Sequence, residues 1–181
     1  MNQPDRVNQS DQLRKTVHAA LFAALIAAGA FIAIPIGPVP IVLQNLFVLL
    51  AGLILGRRWG VYSVALYLLM GGFGFPVFAG GTGGIGRLFG PTGGYLFGFL
   101  PAVFATALIS ERLNKTPTGD GVALVFGTAI VYCAGVPWLK LATGMAWDKA
   151  FMVGVYPFIP GDLVKIGVAL FAAQLIRKVV K

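Results

Sequence analysis

Apolar runs long enough to cross a bilayer alternate along this chain with small clusters of Lys and Arg, and that alternation excludes most folds. Of 181 residues, 57% are hydrophobic and 11% are charged, against about 25% charged in an ordinary soluble domain. A water-soluble fold could not cover such a core. One spanning helix needs about 20 mostly apolar residues, so the chain accommodates six spans with short links and leaves no length for a second domain. The reading is a single all-α integral membrane domain over 1–181, a bundle of six transmembrane helices, with 1–12 as a flexible tail.

The spans are expected at Thr16–Ile34, Ile41–Leu55, Trp59–Gly71, Tyr95–Ile109, Val122–Val136 and Ile159–Ile176. The segment Pro35-Ile36-Gly37-Pro38-Val39-Pro40 ends the first, because proline removes a backbone donor and restricts its neighbour. Between Gly71 and Gly94 the chain holds eleven glycines and two prolines, which argues against continuous helix. Irregular backbone at membrane depth survives only where protein or a wet cavity satisfies it. This glycine-rich outer loop between spans three and four therefore reads as a lid or pocket wall.

Charge sets the orientation. The net charge is +8, yet the cations form no continuous face of the kind nucleic acid requires. On the six-span map Arg6, Arg14, Lys15, Arg57, Arg58, Arg112, Lys115, Arg177, Lys178 and Lys181 fall on one side, and only Arg87, Lys140 and Lys149 on the other. Positive residues are retained inside, so both termini are expected in the cytoplasm of a prokaryotic cell with the chain multi-pass in its inner membrane. Cys133 is the only cysteine and His18 the only histidine, which leaves no disulfide and no Cys/His metal set. No resident cofactor is expected.

The chemistry-bearing residues gather on the outer half. Asp162 and Lys165 stand i,i+3 at the start of span six, on one helix face, and ionisable residues within a span mark a functional site by default. The alternative is a self-satisfied pair that caps a helix. Arg87 is the only charge in the glycine-rich loop, and its fork suits a carboxylate or phosphate, although a lone interfacial Arg also snorkels to water. Gln44 and Asn45 open span two, as caps or as paired amides for a polar ligand. Gly81-Thr82-Gly83-Gly84-Ile85-Gly86 matches a dinucleotide pattern formally, but no strand precedes it. In span one Ala19, Ala23 and Ala27 recur every fourth residue beside a second stripe of Ala20, Ala24 and Ala28. Such small residues let helices approach closely, either within the bundle or from a partner.

Four segments carry a resemblance. They are Gly37-Pro38-Val39-Pro40-Ile41-Val42-Leu43-Gln44, Gly74-Phe75-Pro76-Val77-Phe78-Ala79-Gly80-Gly81, Leu88-Phe89-Gly90-Pro91-Thr92-Gly93-Gly94-Tyr95-Leu96 and Pro160-Gly161-Asp162-Leu163-Val164-Lys165. In this order they resemble the BioY family, the biotin-binding S components of energy-coupling-factor transporters, over Ala19 to Leu170. The resemblance implies a membrane transport subunit, not an enzyme, that captures biotin from outside. Delivery inward would be driven by one transmembrane T component and two ATP-binding subunits, unless this member acts alone as a facilitator. The implied docking face for the T component is the alanine stripe, Ala19, Ala23 and Ala27 with Ala20 and Ala24. Self-association into a homo-oligomer stays open.

Biotin's ureido ring offers two N–H donors and a carbonyl, its middle is apolar, and its carboxylate is anionic. An ionised Asp162 suits the ureido N–H groups, with Gln44 completing those contacts and Asn45 beside it as a further polar contact. Arg87 or Lys165 suits the carboxylate, while Tyr95, Phe78 and Trp138 suit the apolar length. Two other functional classes fit the residues less well. An intramembrane transferase acting on a lipid phosphate would need paired carboxylates or a nucleophile with its base, and Asp162 is the only acid within the spans. A purely structural subunit would have no use for converging polar residues.

Overall fold

The computed structural model describes residues 3–35 and 37–179; Met1, Asn2, Ile36, Val180 and Lys181, including both ends of the expected domain, lie outside the described residues. The chain is mostly helical, in the order α1 (Gln3–Phe31), β1 (Ala33–Ile34), β2 (Ile41–Val42), α2 (Gln44–Gly72), α3 (Ile85–Leu88), α4 (Gly93–Arg112), α5 (Pro117–Thr143), α6 (Trp147–Gly154) and α7 (Ile159–Val179). Five of these helices, α1, α2, α4, α5 and α7, are long and apolar enough to cross a membrane. Their outward faces carry large apolar side chains such as Leu163, Val164 and Phe171, as a bilayer requires.

One detail departs from the sequence reading and a second adds to it. Helix α1 runs back through the segment expected as a tail, where Lys15 pairs with Asp11 at 2.6 Å one turn away. The proline-rich break is not bare loop. Ala33 pairs with Val42 and Ile34 with Ile41 in a small antiparallel ladder, because prolines that cannot extend a helix can still sit in the turn between two short strands.

Helix α2 absorbs the expected second and third spans into one element, but its axis does not continue. Gly56 has φ 76° and ψ −177°, a backbone conformation open to glycine and strained for side chains with a Cβ. The two arms fold back on each other from this point. A Cβ on Gly60 would lie 3.2 Å from the carbonyl oxygen of Ala51, and Gln44 Nε2 donates to Tyr67 Oη at 2.7 Å. In a straight helix residues 44 and 67 would be about 34 Å apart at a rise of about 1.5 Å per residue. The first arm brings Gln44 and Asn45 to the end of the bundle where α7 begins, and the second returns the chain there for the glycine-rich segment.

At the opposite end a buried polar cluster ties the helices together. The break at Gly56 deprives the preceding carbonyls of their i+4 donors, and Arg177 Nη2 of α7 donates to one of them, Leu53 O, at 2.8 Å. The same guanidinium pairs with Asp120 in the first turn of α5, where the carboxylate is fully buried (0% exposed) and also accepts from Ser110 of α4. One side chain thus joins α2, α5 and α7. The start of α5 is set by Thr116, whose hydroxyl accepts from the Gly119 N–H at 3.1 Å, and by Pro117 in the first turn. Both are favoured at helix starts.

Arg177→Met would leave Asp120 buried and unpaired, and breaking such a pair costs about 3–5 kcal/mol. Asp11→Asn, which removes an exposed surface pair, should change stability far less. Unfolding of the purified chain in detergent should rank the two variants in that order; equal stabilities would contradict the cluster's role.

Candidate ligand-binding site

A cavity opens at the end of the bundle where β1–β2, the segment 76–92 and the start of α7 meet, with about 800 Å³ of space counting its mouth. Its lining is mostly apolar, including Val39, Phe78, Leu96, Phe99, Val131 and Phe158, with one wall formed by hydrogen-bonded polar groups.

That wall is built around Asp162. Lys165, one turn along α7, donates to Oδ1 at 2.9 Å, and the pair is 5% and 7% exposed respectively. Asn45 Nδ2 from α2 donates to the same oxygen at 3.1 Å, and the Tyr132 hydroxyl from α5 donates to Oδ2. Burying two charges in an apolar bundle carries a large desolvation cost, offset only when pairing and hydrogen bonding are nearly complete. Here three helices supply the donors. A carboxylate has about four acceptor positions; three are in use, which leaves room for one further N–H. Asn45 Oδ1 is buried against this wall with no partner among the described residues, an acceptor whose desolvation nothing offsets.

The apolar walls are placed with equal economy of space. Phe78 sits with its ring against Gly71, where a Cβ would come within 2.1 Å of it, and its ring packs edge-on to Tyr67. Tyr95 lies against Gly135 of α5 and its hydroxyl donates to Gly154 O at 2.9 Å, which anchors the end of α6. Arg87 is on the single turn α3 at the mouth. It is exposed and makes no ion pair among the described residues.

Of the residues singled out in the sequence, Asp162, Lys165, Arg87, Gln44, Asn45, Tyr95 and Phe78 all line this cavity. Trp138 does not. Its indole Nε1 donates to Gly90 O at 2.9 Å and its ring packs with Phe89 and Phe97. It braces the end of the glycine-rich segment from behind. The sequence reading passed over Tyr132 and Thr128, which line the cavity from α5. A tyrosine in mid-span is a usable signal, since its hydroxyl needs a partner when buried.

The alanines of α1 divide. Ala19 and Ala23, 5% and 3% exposed, pack inside the bundle, with Ala27 half-buried beside them. Ala20, Ala24 and Ala28 face outward. The first stripe therefore corrects the docking expectation for Ala19 and Ala23: α2 already occupies the close approach their small size permits, for α1 packs chiefly on α2.

The chain matches the BioY family's model over residues 2–181. It is 42% identical over 168 residues to a Thermotoga maritima protein named biotin transporter BioY, covering 92% of this chain and 97% of that one. A Rhodobacter capsulatus biotin transporter BioY is 43% identical, with 91% and 94% covered. Among solved structures, the S-component for biotin from an ECF-type ABC transporter superposes with a TM-score of 0.86 at 30% identity, over 98% of this chain and 95% of that one.

Proposed function

The chain belongs to the BioY family, and from that premise we propose that it is the S component of a biotin transporter, which binds biotin at the cavity and passes it inward with an energy-coupling module. The carrying observation is a largely apolar cavity whose charged wall and mouth match the two polar ends of biotin. The ureido ring sits against Asp162 and Asn45. Asp162 accepts one ureido N–H at its remaining position, and Asn45 Oδ1 accepts the other. The thioether ring and alkyl chain run along Phe78, Leu96 and Phe99. The carboxylate meets Arg87.

The choice of Arg87 follows from what each cation already does. Lys165 is committed to Asp162 at 2.9 Å and is buried, so it holds Asp162 in place. Arg87 has no such commitment. Arg87→Met should weaken biotin by roughly tenfold to hundredfold, the worth of a charge-assisted hydrogen bond, and leave a biotin amide nearly unaffected. Lys165→Met should weaken both. Calorimetric titration distinguishes these outcomes, and loss of the amide discrimination in Lys165→Met in place of Arg87→Met would reverse the assignment.

The reversal at Gly56 supports six crossings, with the two arms of α2 as separate spans and both termini in the cytoplasm. A reporter after Lys181 or within 114–120 should then read cytoplasmic and one within 148–151 external; the opposite pattern contradicts the orientation. Partner docking by the T component, with its two ATP-binding subunits, falls to the exposed stripe Ala20, Ala24 and Ala28. Ala24→Trp should preserve biotin affinity and abolish ATP-driven uptake, whereas Ala23→Trp should lose folded protein. Unimpaired uptake in Ala24→Trp would remove the stripe from the interface.

A further inference from the structure

At the end of the bundle opposite the cavity, α1 and α7 both pack on α2 without packing closely on each other. The groove between them has about 1940 Å³ of space counting its mouth, more than twice that of the cavity measured the same way. Its inner part is apolar, with Phe22 of α1, Ile54 and Leu55 of α2 and Ile176 of α7. Its rim is basic. Arg14 comes from α1, Lys115 from the α4–α5 turn and Lys178 from α7, and none of the three makes an ion pair among the described residues. The only acid on the groove among the described residues, Asp11, is already held by Lys15 at 2.6 Å.

We propose that this groove binds one anionic phospholipid, its phosphate held by Arg14, Lys115 and Lys178 and an acyl chain lying along Phe22, Leu55 and Ile176. Cations that serve only to orient the chain need to be near the interface and nothing more. These three converge from separate segments on one groove, whose lining also includes the apolar Phe22, Ile54, Leu55 and Ile176. Basic pockets between membrane helices select anionic headgroups in this way. A phospholipid joins the two chemistries in one molecule, which a free anion or an acidic peptide does not. The groove face of α1, with Lys15, His18 and Phe22, lies on the other side of the helix from the outward alanines, so lipid and a partner on that stripe would not compete for the same face.

The test is native mass spectrometry of the full chain purified with an equal mixture of phosphatidylglycerol and phosphatidylcholine. The expected result is one retained phosphatidylglycerol that millimolar inorganic phosphate does not displace. Replacing Arg14, Lys115 and Lys178 together by Gln should weaken retention about hundredfold, from about fivefold per cation near the surface, with unfolding unchanged. Arg57→Gln with Arg58→Gln, cations of the same end outside the groove, should leave retention intact. If the triple variant is unstable, Lys178→Gln alone should still lose about fivefold. Equal retention of both lipids by the unaltered chain, displacement by phosphate, or equal loss in the Arg57/Arg58 control would each overturn the proposal.

Discussion

The buried ion pair of Asp162 and Lys165 carries a large desolvation cost, and much of the bundle's polar organisation is explained by what makes it tolerable. Two ions placed among apolar helices must be paired and hydrogen-bonded nearly to completion. The donors come from three helices, with Lys165 on α7, Asn45 on α2 and Tyr132 on α5. Each helix must therefore arrive at the same depth and rotation. A pair serving only to hold α7 would be satisfied by fewer partners, and would have no need to line a cavity that also carries an unpartnered Asn45 carbonyl oxygen. The incomplete part of the network faces the place where a ligand with N–H groups fits.

Meeting that demand depends on the other end of the bundle. Only a reversal at Gly56 lets one continuous segment deliver Gln44 and Asn45 from its first arm and Tyr67 from its second to the same end of the bundle. The reversal strands backbone carbonyls, and Arg177 both covers one of them and neutralises the buried Asp120. Arg177 and Lys165 are on one helix, about three turns apart. The cluster that closes one end and the pair that lines the cavity are thus positioned by the same element, α7. Stability at one end and ligand geometry at the other are linked through it.

Charge and hydropathy made the membrane fold legible, since apolar runs and cation clusters are one-dimensional signals that survive without tertiary information. The same holds for Asp162, Lys165 and Arg87, which stand out as charges where charge is costly. What stayed hidden depends on rotation about a helix axis. Ala19 and Ala20 are adjacent in sequence and equally small, yet one packs against α2 and the other faces outward. Trp138 has the right chemistry for the cavity and points instead at Gly90. Tyr132 reads as one more apolar residue until its hydroxyl meets Asp162. The helix boundary at Gly56 was visible as Gly56-Arg57-Arg58, but the backbone conformation there that folds the two arms back on each other was not.

The account rests on Asp162 as an ionised acceptor for the ligand's N–H groups, and titration calorimetry of biotin into the purified chain and into Asp162→Asn tests that most directly. Asn preserves the shape and removes the charge. The predicted result is a folded variant with affinity reduced roughly tenfold to hundredfold, corresponding to about 1.5–3 kcal/mol for a hydrogen bond to a charged group, and with a biotin amide weakened to the same degree. A folded Asp162→Asn variant that binds biotin as tightly as the unaltered chain would contradict it, and would return the Asp162–Lys165 pair to a structural role.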